Sequence, residues 1–368
     1  MTSLEAWKAV PFHFWSGVFF VFGCITGSFL NVCIHRMPRG QSVVSPPSHC
    51  PACNYSIPWF LNIPLVTWLY LRGKCANCRA PISIRYFLVE LLTGLLFLGS
   101  WLVAGRTSVW LTIAYCIFLS GLVVATFIDF EHFIIPDAIT IGGMVAGFIL
   151  SFAIPILHSA ANAKQALQSS IFGMAVGGGV IYAILRIGKL LFGREKINLD
   201  PNSRIIFTET TLILPNREIP YEDIFYRKSD VIALEAKSVE MIDRCYGSVP
   251  IRITPDRLQI GEDTFDPEPV KHWEVVADKM VLPREAMGFG DVKFMAAIGA
   301  FLGVKATLFS LLLSSMIGAL VGLVLILFRR QEWSSKIPYG PYIAFAAAIW
   351  VFGGHRLLDW WLSGRAFY

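Results

Sequence analysis

Runs of about 20 mainly apolar residues recur along this chain, and no other feature constrains its fold as strongly. A hydrocarbon core about 30 Å thick takes about 20 such residues per helix. Phe12–Ile34, Tyr86–Ala104, Val109–Ile128, Ile134–Leu157, Leu167–Phe192, Lys305–Phe328 and Ile337–Leu362 meet that length. A shorter run, Val292–Leu302, is bounded by Gly290 and Gly303 and reaches only partway. Of the 368 residues, 55% are hydrophobic and 15% charged, which excludes an ordinary soluble globule. The expectation is an all-α polytopic membrane protein of about eight transmembrane helices, one of them short. The leading segment MTSLEAWKAVPFHF has no basic n-region, and no small-residue cleavage site follows the first run. That run therefore reads as a retained span rather than a cleavable signal.

Lys and Arg set the orientation. Arg36, Arg39, Arg72, Lys74, Arg79 and Arg85 follow the first run, and Arg329, Arg330 and Lys336 sit in the loop RRQEWSSK. Placing both inside leaves Arg106 and Lys164 nearly alone in the opposite loops, as the positive-inside rule requires. The net charge of +5 thus reflects topology, and no nucleic-acid partner is implied.

Two polar islands interrupt the runs, giving a division into 1–34 (first span), 35–85 (cysteine island), 86–192 (spans two to five), 193–286 (insert) and 287–368 (last three spans). In the insert, SRIIFTETTLILPN, SDVIALEAKSVEMID and VPIRITPDRLQIG cluster β-branched residues between Pro, Asn, Asp and Gly. They predict short strands and hairpins in a β-rich cytoplasmic insert. No internal repeat is apparent, and no catalytic spacing marks the insert.

Cys50-x2-Cys53 and Cys75-x2-Cys78 lie 21 residues apart. Each knuckle supplies one edge of a tetrahedron, so the pair predicts a closed four-thiolate site of the kind that holds structural zinc. The alternative is two disulfides, which a reducing cytoplasm disfavours. Cys24, Cys33, Cys116 and Cys245 read as small packing residues.

Three aspartates stand at the edges of the runs. Asp129 ends the third run in ATFIDFEHFIIPDAIT, Asp137 follows Pro136, and Asp291 lies in MGFGDVKF. Ionisable groups at that depth are candidate functional residues. Two facing carboxylates share a proton, so that together they activate water and protonate a carbonyl, which is aspartyl-protease chemistry. Helix capping is the bland reading for Asp137 and Asp291. Asp129, at a helix C-terminus where its charge opposes the dipole, has no such explanation. Gly288 and Gly290 leave room for a peptide backbone to approach Asp291.

Taken in order, GSFLNVCIHRMPRG, the island CPACNYSIPWFLNIPLVTWLYLRGKCANCRAPISIRYFLVE, IDFEHFIIPDAIT, MGFGDVK and IPYGPYIAFA resemble the prepilin peptidases, bacterial inner-membrane enzymes of type IV pilus and type II secretion systems. The resemblance implies a G-x-G-D aspartic protease that cuts the short basic leader of a prepilin or pseudopilin after a glycine at the cytoplasmic face. It implies Asp129 and Asp291 as the catalytic pair, with Asp137, Gly288, Gly290 and Lys293 in support. Many members also methylate the new amino terminus with S-adenosylmethionine. The four island cysteines and Gly73 fit that activity, with Gly73 near the cofactor. Glu90 has two readings: it receives the substrate amine, or it pairs with Arg85 or Lys74. The resemblance also implies contact with the pilus or secretion assembly machinery. The β-rich stretch is a departure from compact relatives. Two other functions share parts of the pattern: a presenilin-like intramembrane protease, and a cation transporter using rim aspartates.

Overall fold

A computed structural model describes residues 10–225, 228, 230–267, 272–283, 288–328 and 338–363. Met287, the loop carrying Arg329, Arg330 and Lys336, and Ile337 lie outside the described residues. The chain divides into two compact units, Met1–Ile181 with Phe289–Tyr368, and Tyr182–Gly288.

The first unit is helical. Its elements are α1 (Phe12–Arg36), α2 (Val66–Tyr70), α3 (Ile84–Ala104), α4 (Val109–His132), α5 (Asp137–Ala153), the first part of α6 (Ala163–Phe192), α7 (Phe289–Leu327), α8 (Gly340–Ile349) and α9 (His355–Ser363). Serines start two of them: Ser83 accepts the Arg85 N–H ahead of α3, and Ser108 accepts that of Leu111 ahead of α4. Each satisfies a helix N–H that would otherwise lack a partner. Among the described residues five helices, α1, α3, α4, α6 and α7, are long and apolar enough to cross a membrane, and α5 is a shorter apolar helix.

Three of the expected runs take a different form. Val292–Leu302 and Lys305–Phe328 belong to one element of 39 residues, broken where Gly303 adopts φ 78° and ψ −177°. Only a residue without Cβ takes that conformation cheaply, so the glycine marks the break. The final run is not one helix: α8 passes into a π-helical turn, Trp350–Gly354, with Gly353 at φ 127°, and then into α9.

Small residues let the helices approach. A Cβ at Gly23 would lie 2.7 Å from the Thr93 carbonyl oxygen, and one at Gly27 would lie 2.7 Å from the Glu90 Cα, so α1 and α3 touch backbone to backbone. The same holds where Gly173 and Gly177 of α6 meet α7: a Cβ at Gly299 would stand 2.0 Å from the Gly173 oxygen. Between apolar helices in lipid, such close packing replaces the hydrophobic drive that is absent there.

Among its described residues the second unit carries twelve strands in two antiparallel sheets, ordered β1-β12-β5-β8-β9-β10 and β4-β3-β2-β11-β6-β7. Both sheets send side chains into one core, with Phe207 and Trp273 stacked at 4.2 Å between centroids. The predicted strands are present: β2 (Arg204–Phe207) and β3 (Thr211–Leu214), β5 (Ile232–Ala236) and β6 (Ser238–Glu240), β8 (Val249–Thr254) and β9 (Arg257–Ile260).

Contrary to the sequence reading, the insert is an internal repeat. Strands β1–β6 (Arg194–Glu240) and β7–β12 (Cys245–Pro283) exchange places between the two sheet orders when each strand number is shifted by six. The registers agree pair by pair. Phe207 faces Leu212 as Ile253 faces Leu258, and Trp273 faces Phe207 as Ile232 faces Ile253. Thr208 Oγ1 donates to the Thr211 carbonyl, and Thr254 Oγ1 donates to that of Arg257. Each half sends three strands into a meander of one sheet and others into its partner sheet, so neither half closes the core alone.

Candidate active site and cysteine centre

Four helix ends meet at one end of the helical unit. The last turn of α4 carries Asp129, and the chain turns through Phe133, held left-handed at φ 55°, and Pro136 into α5. Asp129 is 5% exposed, and its Oδ2 accepts the Gly340 N–H at 2.9 Å. That N–H is the first of α8, one of the donors a helix start leaves without an internal partner. The N-terminal dipole of α8 thereby offsets the charge that the C-terminus of α4 disfavours. Asp291, 9% exposed, lies in the first turn of α7. Gly290 before it abuts Ile135, a Cβ there lying 3.5 Å from that of Ile135, and a Cβ at Gly340 would lie 3.1 Å from Ile135 Cδ1. Ile135 is thus a shared neighbour of Gly290, next to Asp291, and of Gly340, whose amide Asp129 accepts. Gly288 is exposed just ahead of α7.

Neither Asp137 nor Asp291 is a simple cap. Pro136 occupies the cap of α5 and makes no side-chain cap bond, while Asp137 accepts a hydrogen bond from Lys293 Nζ at 2.6 Å. This ion pair ties the first turn of α5 to the first turn of α7, and Lys293 also sits 5.4 Å over the Phe289 ring. Asp291 lies inside α7, which begins at Phe289, rather than ahead of it.

Glu90 is 8% exposed, and its Oε2 accepts the Leu65 N–H at 2.7 Å. The pairing with Arg85 that one reading expected is not made, because Arg85 bonds Glu131. Gly73 has a local explanation. At φ 66° it donates to the Trp68 carbonyl, it accepts from Ile82, and a Cβ there would stand 2.9 Å from the Trp68 ring. A left-handed turn beneath an indole needs glycine whatever else binds nearby.

The four island cysteines come together. Their sulfurs all lie within 4.8 Å of one another, and Cys50 and Cys78 are 3.8 Å apart as free thiols. A tetrahedral zinc with bonds of about 2.3 Å separates its sulfurs by about 3.8 Å, so the cluster fits that ion. The knuckles are built alike. Cys50 N–H bonds the Tyr55 carbonyl and Cys75 N–H that of Ala80, while Asn54 and Arg79 are left-handed at φ 54° and 61°. Amides of Cys78 and Asn77 hold the Cys75 thiol down at about 6. The Tyr55 amide lowers Cys53. At Cys78 the Ala80 amide also lowers, but the crowded sulfurs of Cys53 and Cys75 outweigh it and push the thiol up to about 11. A cation held by these four sulfurs would offset their charge and favour loss of the remaining protons.

The residues that sequence reasoning missed are Gly340, Tyr339 and Ile135. Tyr339 OH meets Ser314 Oγ at 2.8 Å and Ser315 Oγ at 3.0 Å, fixing the corner that presents the Gly340 amide. The signal was present in IPYGPY, where a glycine precedes a helix-starting proline, but only the fold brings it to Asp129.

Helices with two buried aspartates near their ends and a tetracysteine island between the first two spans define a class of polytopic membrane protein. Residues 21–104 match the bacterial peptidase A24 N-terminal domain, and residues 116–197 and 275–323 match the type IV leader peptidase family. The prepilin leader peptidase/N-methyltransferase of Aeromonas hydrophila is 29% identical over 384 residues, spanning 98% of both chains. That of Myxococcus xanthus is 41% identical over 178 residues, 48% of this chain and 50% of its own. A type 4 prepilin-like proteins leader peptide-processing enzyme of Escherichia coli is 36% identical over 195 residues, 48% of this chain and 69% of its own. The chain belongs to the type IV leader peptidase family and is an enzyme of that family. The family match is interrupted between 197 and 275, where most of the β insert lies. No solved structure matches the chain.

Proposed function

We propose that the protein is a membrane aspartic endopeptidase that removes the short basic leader from type IV prepilins or pseudopilins, cutting after a glycine at the cytoplasmic face of the bacterial inner membrane. The observation that carries this reading is the burial of Asp129 and Asp291, with Ile135 packed against both Gly290 beside Asp291 and Gly340, the amide partner of Asp129, in a chain of this family. One carboxylate takes a proton from water, and the water oxygen attacks the glycine carbonyl carbon. The other carboxyl gives its proton to the carbonyl oxygen. Collapse of the tetrahedral adduct, with protonation of the leaving nitrogen, releases the leader and a new amino terminus. Gly340 orients Asp129, and the Lys293–Asp137 pair holds the start of α7 beside it. The cytoplasmic placement is supported by the Lys and Arg of the island and of the later loops.

The same protein methylates the new amino terminus, a reading that the double names of its relatives support. S-adenosylmethionine supplies the methyl group when bound. Glu90 is the candidate acceptor for the substrate amine, reached by exchange of its Leu65 bond. Gly73 is fully used by its turn, so no contact of its own argues for a cofactor there. Zinc on Cys50, Cys53, Cys75 and Cys78 closes the island without an open position and serves structure. Contacts with pilus or secretion assembly machinery belong to this reading. Co-expression with a type IV prepilin, followed by mass analysis of the product's amino terminus, tests it. The expected product begins after the leader glycine and carries one extra methyl group. An uncut prepilin, or cleavage inside the transmembrane helix, contradicts the reading.

A further inference from the structure

Residues 59–70, WFLNIPLVTWLY, form the apolar outer edge of the cysteine island. The segment contains no charged residue, yet six of its large side chains face outward: Trp59 (83% exposed), Phe60, Ile63, Val66, Leu69 and Tyr70 (79% exposed). A contiguous surface of this kind in water marks an interaction site.

Its position in the fold identifies what covers it. Leu65, at φ 62°, gives its N–H to Glu90, and Trp68 packs on Phe87 at 5.3 Å. Glu90 lies six residues into α3, which starts at Ile84, so the segment reaches about 9 Å down a membrane-spanning helix. An element seated in the interface buries its apolar face about 5–10 Å. The outward apolar surface continues onto α3 itself, where Ile84, Leu88, Leu92 and Leu95 form an exposed stripe at helical spacing. Immediately after the segment the surface turns cationic, with Arg72, Lys74 and Arg79 exposed. Trp and Tyr at headgroup depth, flanked by Lys and Arg, match the chemistry of an anionic membrane surface.

We infer that residues 59–70 are an interfacial element. They lie in the headgroup region of the bilayer that α1 and α3 cross, with their apolar side chains in lipid and the following cations at the phosphates. The segment anchors the island to the membrane surface, so the tetracysteine centre is held at a fixed height above Glu90. This inference does not depend on the catalytic reading.

The test uses the full-length protein in nanodiscs whose phospholipids carry bromine either near the headgroup end of the acyl chains or near their terminal methyls. Eleven tryptophans contribute emission, so the Trp59 share is taken as the difference between wild type and Trp59→Phe. A Tyr70→Trp change in the Trp59→Phe background reports from the other end of the segment. Both probes are expected to lose more emission with the shallow bromines than with the deep ones. Equal emission in brominated and plain lipid overturns the inference, as does stronger quenching by the deep bromines. Loss of shallow quenching on addition of saturating prepilin also overturns it, giving the surface to the substrate instead.

Discussion

In the helical unit neighbouring backbones meet at glycine: Gly23 and Gly27 on α1, Gly173 and Gly177 on α6, Gly299 on α7. In the β insert the space between two sheets is filled by large side chains such as Phe207, Trp273, Leu212 and Ile251, supplied twice over by two similar halves. The first region tolerates almost no added volume at its seams, and it places single polar groups where the helices converge. The second repeats an ordinary apolar core, and its buried acid among the described residues, Asp230, is ion-paired with Lys189. The comparison teaches that the two buried aspartates and the tetracysteine cluster lie in the closely packed region, to which most of the family match belongs.

The seam is the most sensitive place to break this contrast. Gly299→Leu is expected to abolish a folded membrane unit, since even a Cβ meets the Gly173 oxygen at 2.0 Å; thermal unfolding in detergent measures it. Leu212→Ala in the insert removes a buried side chain and is expected to cost about 2–5 kcal/mol. Cleavage activity of the membrane unit is expected to persist in that variant below its lowered melting point.

Next in size is Gly340→Ala. Its Cβ would fall 2.7 Å from Asp129 Oδ2, so the carboxylate must move. A displacement of that kind is expected to lower kcat about 100-fold with KM nearly unchanged. Tyr339→Phe adds no volume and should lower kcat less. Ser314→Ala and Ser315→Ala singly should do little, because Tyr339 keeps one hydroxyl partner in each.

At the cysteine island acid is expected to release the metal. Cys75 holds its proton off down to about 6, whereas Cys78, crowded by the neighbouring sulfurs, keeps its proton up to about 11. Below pH 6 protons compete with zinc for every thiolate, so metal content should fall with pH and not with rising pH. Metal content measured by emission spectroscopy after dialysis at a series of pH values checks the direction. The smallest effect is expected at Lys293 and Asp137, a partly exposed pair whose coupling in a double-mutant cycle should be about 0.2–1 kcal/mol.

Much of this architecture is legible in the sequence because apolar runs and Cys-x2-Cys knuckles are local signals. Gly303 marked a boundary that the structure keeps as a break within α7. The final run misled because Gly353 and a π-helical turn interrupt it without changing its hydropathy. The repeat in the insert escaped because it is conserved in register rather than in residues. Ile205 and Ile251 correspond, as do Thr208 and Thr254, but Phe207 corresponds to Ile253 and the connecting turns differ in length. Of the site, Asp129 could be named as a candidate from its awkward placement at a helix C-terminus, and Asp291 from its charge at the edge of an apolar run. The Gly340 amide could not, since it lies 211 positions away from Asp129 and a backbone donor leaves no side-chain trace.

The most direct test of the central claim is cleavage of a co-expressed type IV prepilin by wild type, Asp129→Asn and Asp291→Asn, with membrane insertion checked for each. The account predicts that wild type cuts and that both variants insert but lose about 10²- to 10⁴-fold in rate, the contribution of positioned acid–base groups. A fully inserted variant that still cuts at the wild-type rate would contradict it, leaving that aspartate a structural group at the end of its helix.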